Sequence, residues 1–236
     1  HVLKNPEYAH VLRGIAAQGP KALPEGPVAQ AIVAKLTGHP TNPGKLSMAD
    51  LAGYQAKKRA PLCHDLRSAA NNQTYEVCGF PPPSSGAIAV GQILGILGQT
   101  PAAQAEADAA GLPTADWLYF YNEAARLAFA DRAQYVADPD FVQPPAGSWT
   151  SLLDPAYLAE RSKLISQEPN GVSMKTGKPG TPGGAKVAYA PLPDQPEFGT
   201  SHISIVDAAG NAIAMTTTIE DQFGARQMVK GFLLNN

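Results

Sequence analysis

Apolar residues recur at helical spacing over roughly the first two thirds of the chain, and a strict polar–apolar alternation replaces them near its end. Asn5-Pro6 reads as a helix cap followed by proline in the first turn, with Leu12, Ile15 and Ala16 as the apolar stripe and Gly19 as the stop. A second helix is predicted from Pro27 to Leu36, ending at Gly38. Ser47 with Asp50 three residues on forms a capping box for a short helix through Tyr54. Tyr75 to Cys78 reads as a strand. Pro81-Pro82-Pro83-Ser84-Ser85-Gly86 is a stiff turn, and Ser84 or Ser85 is placed to cap an apolar helix from Ala87 to Leu97. Thr114 caps a longer helix, Ala115 to about Tyr135, with Leu118, Tyr121, Ala125 and Phe129 along one face. Asp154-Pro155 opens another that ends near Ile165.

Between Ser166 and Gly199 the periodicity stops, and twelve of 34 residues are Gly or Pro. A loop this long inside a compact domain is uncommon, and is expected to be functional or mobile. Beyond it, His202-Ile203-Ser204-Ile205-Val206 alternates, Asp207-Ala208-Ala209-Gly210-Asn211 follows, and Ala212 to Thr218 forms a second run. Asp at the first turn position and Gly at the left-handed one suit a three-residue hairpin loop with a bulge. That turn pairs Asp207 with Asn211. Counting outward, Ile205 faces Ile213 and Ile203 faces Met215 on one face. Ser204 meets Ala214, His202 meets Thr216 and Thr200 meets Thr218 on the other. Thr200 thus falls at the open end of the hairpin, beside Thr218 and near Glu220.

Composition narrows the function classes. The 236 residues are 44% hydrophobic and 16% charged, which is long enough and apolar enough for a globular core. A net charge of -2 supplies no basic field for nucleic acid. No apolar run is long enough to span a bilayer, and His1 to His10 carry no signal-peptide pattern, so any export address lies outside the chain. Cys63 and Cys78 are read either as one disulfide or as two buried thiols. A zinc site from Cys63, His64 and Cys78 fits no ligand spacing, and no metal is expected. There is no Gly-x-Ser-x-Gly elbow, phosphate loop or dinucleotide fingerprint. Lys175-Thr176-Gly177 matches one fragment of the β-lactamase set without its partners and is read as chance. Asp131-Arg132 is read as a structural ion pair at a helix surface or interface.

Gly199-Thr200-Ser201-His202 remains. A threonine hydroxyl is a poor nucleophile without a neighbouring base. A threonine at a chain N-terminus carries one, because an α-amino group titrates at about 7.7–8.0 and is partly neutral at working pH. Cutting the Gly199–Thr200 bond creates that terminus. The Thr200 hydroxyl attacks the preceding carbonyl, an ester forms, and water releases it; Gly199 tolerates the backbone geometry this requires. Strand propensity alone also accounts for a threonine here.

Thr200 to Asp207, with Gly210-Asn211, resembles the start of the small subunit of γ-glutamyltransferases. Further similarities run through the chain in order: Asn5-Pro6 with Leu12 to Ala16, Asp50 to Tyr54 with Arg59 and Pro61-Leu62, the Pro81 to Gly86 run, Ala130-Asp131-Arg132 with Asp138-Pro139-Asp140, and Gly231 to Asn236 as a return strand. The resemblance implies an α/β (α+β) fold, part of the N-terminal-nucleophile hydrolase αββα sandwich. Residues 1–199 would be the C-terminal part of a large subunit and 200–236 the start of a small catalytic one. It implies self-cleavage between Gly199 and Thr200, Thr200 as nucleophile, Thr218 as its supporting threonine, and Glu220 beside the substrate's α-amino group, where many members hold Asn. Ser201 stands where many have a second threonine and keeps the hydroxyl.

The implied reaction transfers a γ-glutamyl group from a glutathione-like donor to water, an amino acid or a peptide, with no cofactor. The implied partners are the two subunits of one precursor. A glutaryl- or cephalosporin-type acylase of the same fold, or a non-catalytic scaffold, are the alternatives. By resemblance only, a periplasmic or secreted place is favoured, since bacterial relatives are often exported, while others lack export signals. The family's substrate-binding arginine precedes His1, and its acidic residue, paired serines and Gly-Gly oxyanion donors follow Asn236. The chain is therefore expected to be an internal fragment with little turnover by itself.

Overall fold

The computed structural model describes residues 2–68, 71–167, 177–185, 189–191 and 199–236. In chain order the elements are helices α1 (Pro6–Gln18), α2 (Gly26–Thr37) and α3 (Met48–Gly53), strands β1 (Leu62–Arg67) and β2 (Thr74–Gly79), helices α4 (Gly86–Leu97), α5 (Ala115–Tyr135) and α6 (Pro155–Ser162), then strands β3 (Ser201–Val206), β4 (Ala212–Thr217), β5 (Met228–Val229) and β6 (Phe232–Leu233). The strands pair as three antiparallel ribbons, β1–β2, β3–β4 and β5–β6. This is the mixed helix-and-strand class expected. The residues divide into two compact units, His1–Lys57 with Gln195–Asn236, and Lys58–Asp194.

In the second unit, α4 packs along α5. Ile93, Ile96 and Leu97 meet Phe120, Ala124, Leu127 and Ala128, and Leu158 of α6 closes the cluster. Gly91 and Gly95 permit this closeness. A Cβ on Gly95 would stand 2.5 Å from Leu158 Cδ1, and one on Gly91 2.7 Å from Leu153 Cδ2. The buried face of α5 is not the predicted one. Leu118, Tyr121 and Phe129 are exposed, while Phe120, Glu123, Ala124, Leu127, Ala128, Asp131 and Tyr135 face inward. The apolar stripe misled because the true inner face carries two carboxylates.

Asp131 explains how a carboxylate lives there. Fully buried, it accepts from Gln92 Nε2 (2.8 Å), Tyr157 Oη (2.7 Å) and the Gly180 N–H (2.8 Å), and it pairs with Arg161 at 3.1 Å. The ion pair is thus structural, as expected. Its cation is Arg161 of α6 rather than the neighbouring Arg132, and of the two places expected it lies at the buried interface between helices, not at a surface. Burial and the Asp131 charge hold the Tyr157 phenol far above its ordinary range, so it stays a donor.

The same cluster moors the glycine- and proline-rich loop. Arg161 donates to Lys178 O at 2.8 Å and Tyr135 Oη donates to Gly180 O at 2.6 Å. A side chain on Gly180 would collide with Tyr157 Oη, so only glycine fits beneath it. Farther on, Gln134 Nε2 donates to Tyr189 O (2.8 Å) and Tyr189 Oη donates to Gln143 O (2.9 Å). Residues 168–176, 186–188 and 192–198 of this loop, and with them the expectation of mobility and Lys175-Thr176, lie outside the described residues.

Two chain segments that carried the family likeness meet in this unit. Arg59 lies 3.4 Å from an Asp138 oxygen and 3.3 Å from one of Asp140. Ser85 takes the cap position of α4, but its hydroxyl is not the cap. It accepts from Arg132 Nε at 2.8 Å, and its backbone is helical rather than extended. Helix α6 opens on Asp154, which accepts from Ala156 N and Tyr157 N, and stops at Ser162, earlier than predicted.

Cys63 and Cys78 face each other across β1–β2 and are bonded, which resolves the open alternative. Closing a loop of 15 residues restricts the unfolded chain by about 3 kcal/mol in the chain-entropy view. His64 points the other way, against Gly91, with both ring nitrogens sealed and unpartnered. Burial pushes its pKa down, and Asp65 opposes this weakly. The neutral ring is therefore what the fold accommodates. Its stabilisation is complete above the unfolded histidine value of about 6.5 and is lost as the pH falls through the depressed folded value. Urea midpoints should drop on acidification below about pH 6.5, by at most about 1.4 kcal/mol per pH unit from this group, and His64→Phe should flatten that dependence.

In the first unit, α1 begins as predicted. Asn5 Oδ1 accepts the Tyr8 N–H at 3.1 Å, and its amide donates to Gly231 O at 2.7 Å, so one side chain caps the helix and holds the turn before β6. The predicted stripe is shifted by one position. Val11 is buried, Ile15 is half-buried, and Leu12 and Ala16 are exposed. The capping box of α3 forms in both directions, Asp50 N to Ser47 Oγ at 3.2 Å and Ser47 N to Asp50 Oδ2 at 2.8 Å. No described helix is long and apolar enough to cross a membrane.

Candidate active site

The β3–β4 hairpin sets the geometry. Asp207 N–H donates to Asn211 O (2.9 Å) and Gly210 N–H to Asp207 O (3.0 Å), with Gly210 at φ +84°. Asp207 Oδ1 gathers the Ala209 and Asn211 N–H groups. Hydrogen bonds from Asn211, first from its side chain, hold the Asp207 carboxyl below its usual range. The register is the predicted one: Ile205 opposite Ile213, Ile203 opposite Met215, Ser204 opposite Ala214, His202 opposite Thr216. His202 Nδ1 and Thr216 Oγ1 are 2.8 Å apart.

Ser201↔Thr217 is the outermost pair, and just beyond it one strand leads back to Gly199-Thr200 and the other on to Thr218. Here the predicted site residues connect. The Thr218 hydroxyl donates to Gly199 O at 2.6 Å, the carbonyl of the bond preceding Thr200. The same Thr218 oxygen accepts the Glu220 N–H at 2.8 Å. Each bond polarises the other, because accepting a hydrogen bond makes the hydroxyl a stronger donor. Gly199, Thr200, Thr218 and Glu220 are all exposed.

Chemically, this end of the hairpin offers a hydroxyl one residue after a carbonyl that is already polarised by a donor. Attack by the Thr200 Oγ on the Gly199 carbonyl carbon closes a five-membered ring. Negative charge then develops on the oxygen that Thr218 contacts. Collapse with loss of the Thr200 nitrogen would leave an ester on Oγ and a free α-amino group, and water would then release the Gly199 carboxylate and restore the hydroxyl beside that amine.

Asn236 was not anticipated. Its Oδ1 accepts the Asp221 N–H at 2.8 Å, a contact between distant residues through a main-chain donor, for which the sequence offers no signal. Glu220 itself has φ +74°, which its residue type does not announce. Among the described residues, one cluster has metal-ligand atoms in mutual reach, Cys63, Glu76 and Cys78. Its two sulfurs are bonded to each other and supply no thiolate.

Comparison with known proteins finds relatives along the whole chain. The family model described as gamma-glutamyltranspeptidase matches residues 1–236. A glutathione hydrolase proenzyme of Pseudomonas sp. (strain A14) is 34% identical over 99% of the chain and 36% of its own length. An acylase ACY 1 proenzyme of Pseudomonas sp. (strain V22) is 34% identical over 93% of the chain and 34% of its own length. The solved cephalosporin acylase from Bacillus halodurans superposes with a TM-score of 0.73 at 25% identity, covering 100% of the chain and 36% of that protein. The chain thus spans about a third of the length of these relatives. With a match that runs from its first residue to its last, it belongs to the γ-glutamyltranspeptidase family.

Proposed function

We propose that the whole protein transfers or hydrolyses γ-glutamyl groups from glutathione-like amides, with Thr200 as nucleophile after self-cleavage between Gly199 and Thr200. The observation that carries this reading is the 2.6 Å hydrogen bond from Thr218 to Gly199 O, which prepares the carbonyl that Thr200 would attack. Residues 1–199 would then close a large subunit and 200–236 open a small one. In the cleaved form, the Thr200 α-amino group takes the hydroxyl proton as the oxygen attacks the donor's amide carbon. The proton passes to the leaving amine. Water or an acceptor amine then clears the acyl ester. Thr218, with Gly199 O gone, is left to donate to the Thr200 oxygen.

Intact mass and N-terminal sequencing of the whole protein test the proposal. Two chains divided between Gly199 and Thr200 are expected. A protein that stays uncut while turning over γ-glutamyl substrates would overturn it.

A second reading, an acylase for glutaryl-type side chains, is favoured by the 34% identity to the ACY 1 proenzyme and the 0.73 TM-score to the cephalosporin acylase. Glu220 separates the two. A γ-glutamyl donor carries an α-ammonium that a carboxylate binds by charge-assisted hydrogen bonds, whereas a glutaryl group has none. Glu220→Gln should lower kcat/KM for a γ-glutamyl anilide about 10- to 100-fold, the span of a lost charged hydrogen bond. It should leave a glutaryl anilide little changed. Equal effects on both would count against the γ-glutamyl assignment.

A further inference from the structure

Glu220 occupies the left-handed region, at φ +74°, where a residue with a side chain is held only by its surroundings. The peptide groups on both of its sides are pinned by side chains. Its own N–H donates to Thr218 Oγ1 and the following N–H, that of Asp221, donates to Asn236 Oδ1, each at 2.8 Å. The loop beyond is laid against the segment that leads into Asn236. Ala225 N–H donates to Leu234 O and Leu234 N–H to Gln227 O, both at 2.9 Å. Gly224, at φ +52°, lies so close to Leu234 O that a Cβ would collide with it. Asp221 uses its carboxylate locally, on the Gln222 N–H (2.6 Å) and on Arg226 (3.4 Å), which leaves its N–H to Asn236.

We infer that Asn236 is a positioning residue for donor recognition: by fixing the Asp221 N–H it locks the left-handed turn that aims the Glu220 carboxylate. The inference rests on the reading of Glu220 as the partner of the donor's α-ammonium. The amide oxygen is the required acceptor, because a main-chain N–H cannot bond to the amide NH2. Without it the Asp221 N–H turns to water, since the position is exposed. The fold survives, and Glu220 relaxes toward negative φ and loses its aim. The effect therefore falls on donor binding and not on the nucleophile, which the separate Thr218 bond serves.

The test uses the whole protein and two probes, a γ-glutamyl anilide and a glutaryl anilide lacking the α-ammonium. Asn236→Ala is expected to raise KM for the γ-glutamyl probe about tenfold, with kcat within about twofold, the size of one misplaced charged contact. KM for the glutaryl probe, the extent of self-cleavage and the melting temperature should hold. Asn236→Asp, which keeps an acceptor oxygen at the same place, should recover most of the loss. Adding Asn236→Ala to Glu220→Gln should raise KM no further, because the two act through one contact. If Glu220→Gln raises KM for the γ-glutamyl probe and Asn236→Ala does not, the inference about Asn236 falls while the reading of Glu220 stands. If Glu220→Gln leaves KM unchanged, the reading of Glu220 falls and takes the inference with it. If Asn236→Ala impairs both probes alike, or blocks cleavage, its role is general support and the inference is overturned.

Discussion

Thr200→Ala is expected to abolish both self-cleavage and turnover, leaving one uncut chain by intact mass and no detectable release of amine from a γ-glutamyl donor. In the proposed mechanism one oxygen serves two reactions. Before cleavage it is the only hydroxyl that can close the five-membered ring onto the Gly199 carbonyl, and afterwards it carries the acyl group. Thr218 cannot substitute, because its hydroxyl is placed to donate to the carbonyl oxygen, not to approach the carbon. Removing a nucleophile from a hydrolase of comparable logic costs on the order of 10⁶ in kcat. Here the loss is compounded, because the α-amino base is never uncovered. Thr200→Ser separates the roles: it keeps the oxygen and should retain cleavage and measurable turnover. Cleavage at Gly199 in Thr200→Ala would show that another group performs the attack.

Asp131→Ala is expected to be the most damaging substitution outside the hairpin. Removing one partner of a buried ion pair leaves an uncompensated charge, at a cost of about 3–5 kcal/mol. That is a large share of the roughly 5–15 kcal/mol by which a domain is stable. Arg161 would keep its bonds to Leu127 O and Lys178 O, but not its counter-charge. Gln92, Tyr157 and the Gly180 N–H would lose their acceptor together. An apolar replacement of both ions is often harmless elsewhere. It should fail here, because Asp131→Leu with Arg161→Met leaves the other three donors unpaired. Urea unfolding of the single and double variants checks this. A double variant as stable as the wild type would mean that those three donors find other partners.

The hairpin was legible in the sequence because two local rules agree on it. The Asp207-to-Asn211 turn fixes the pairing, and the alternation of Ile203, Ile205, Ile213 and Met215 fixes the face. Thr200 and Thr218 came with that register, and Asn5, Ser47, Thr114 and Asp154 were readable as caps because capping is short-range chemistry. What escaped is long-range. The inner face of α5 was hidden because Asp131 and Glu123 are inside while Phe129 is outside, an inversion that follows only from Arg161, Tyr157 and Arg126 being nearby. Asn236 escaped because its target is a main-chain N–H fifteen positions away in a turn of left-handed residues. Neither leaves a mark in hydrophobic spacing.

The mooring of the loop to α5 also limits what cleavage can release. Tyr189 is held by Gln134 and its ring lies edge-on to Tyr135 at 5.3 Å. Only seven residues, eight chain steps, separate Pro191 from Gly199, a contour of at most about 28 Å. A carboxylate confined to that radius has an effective concentration in the millimolar range. Under the proposed cut, the new Gly199 carboxylate is a leashed product, kept within that radius of Pro191 rather than released.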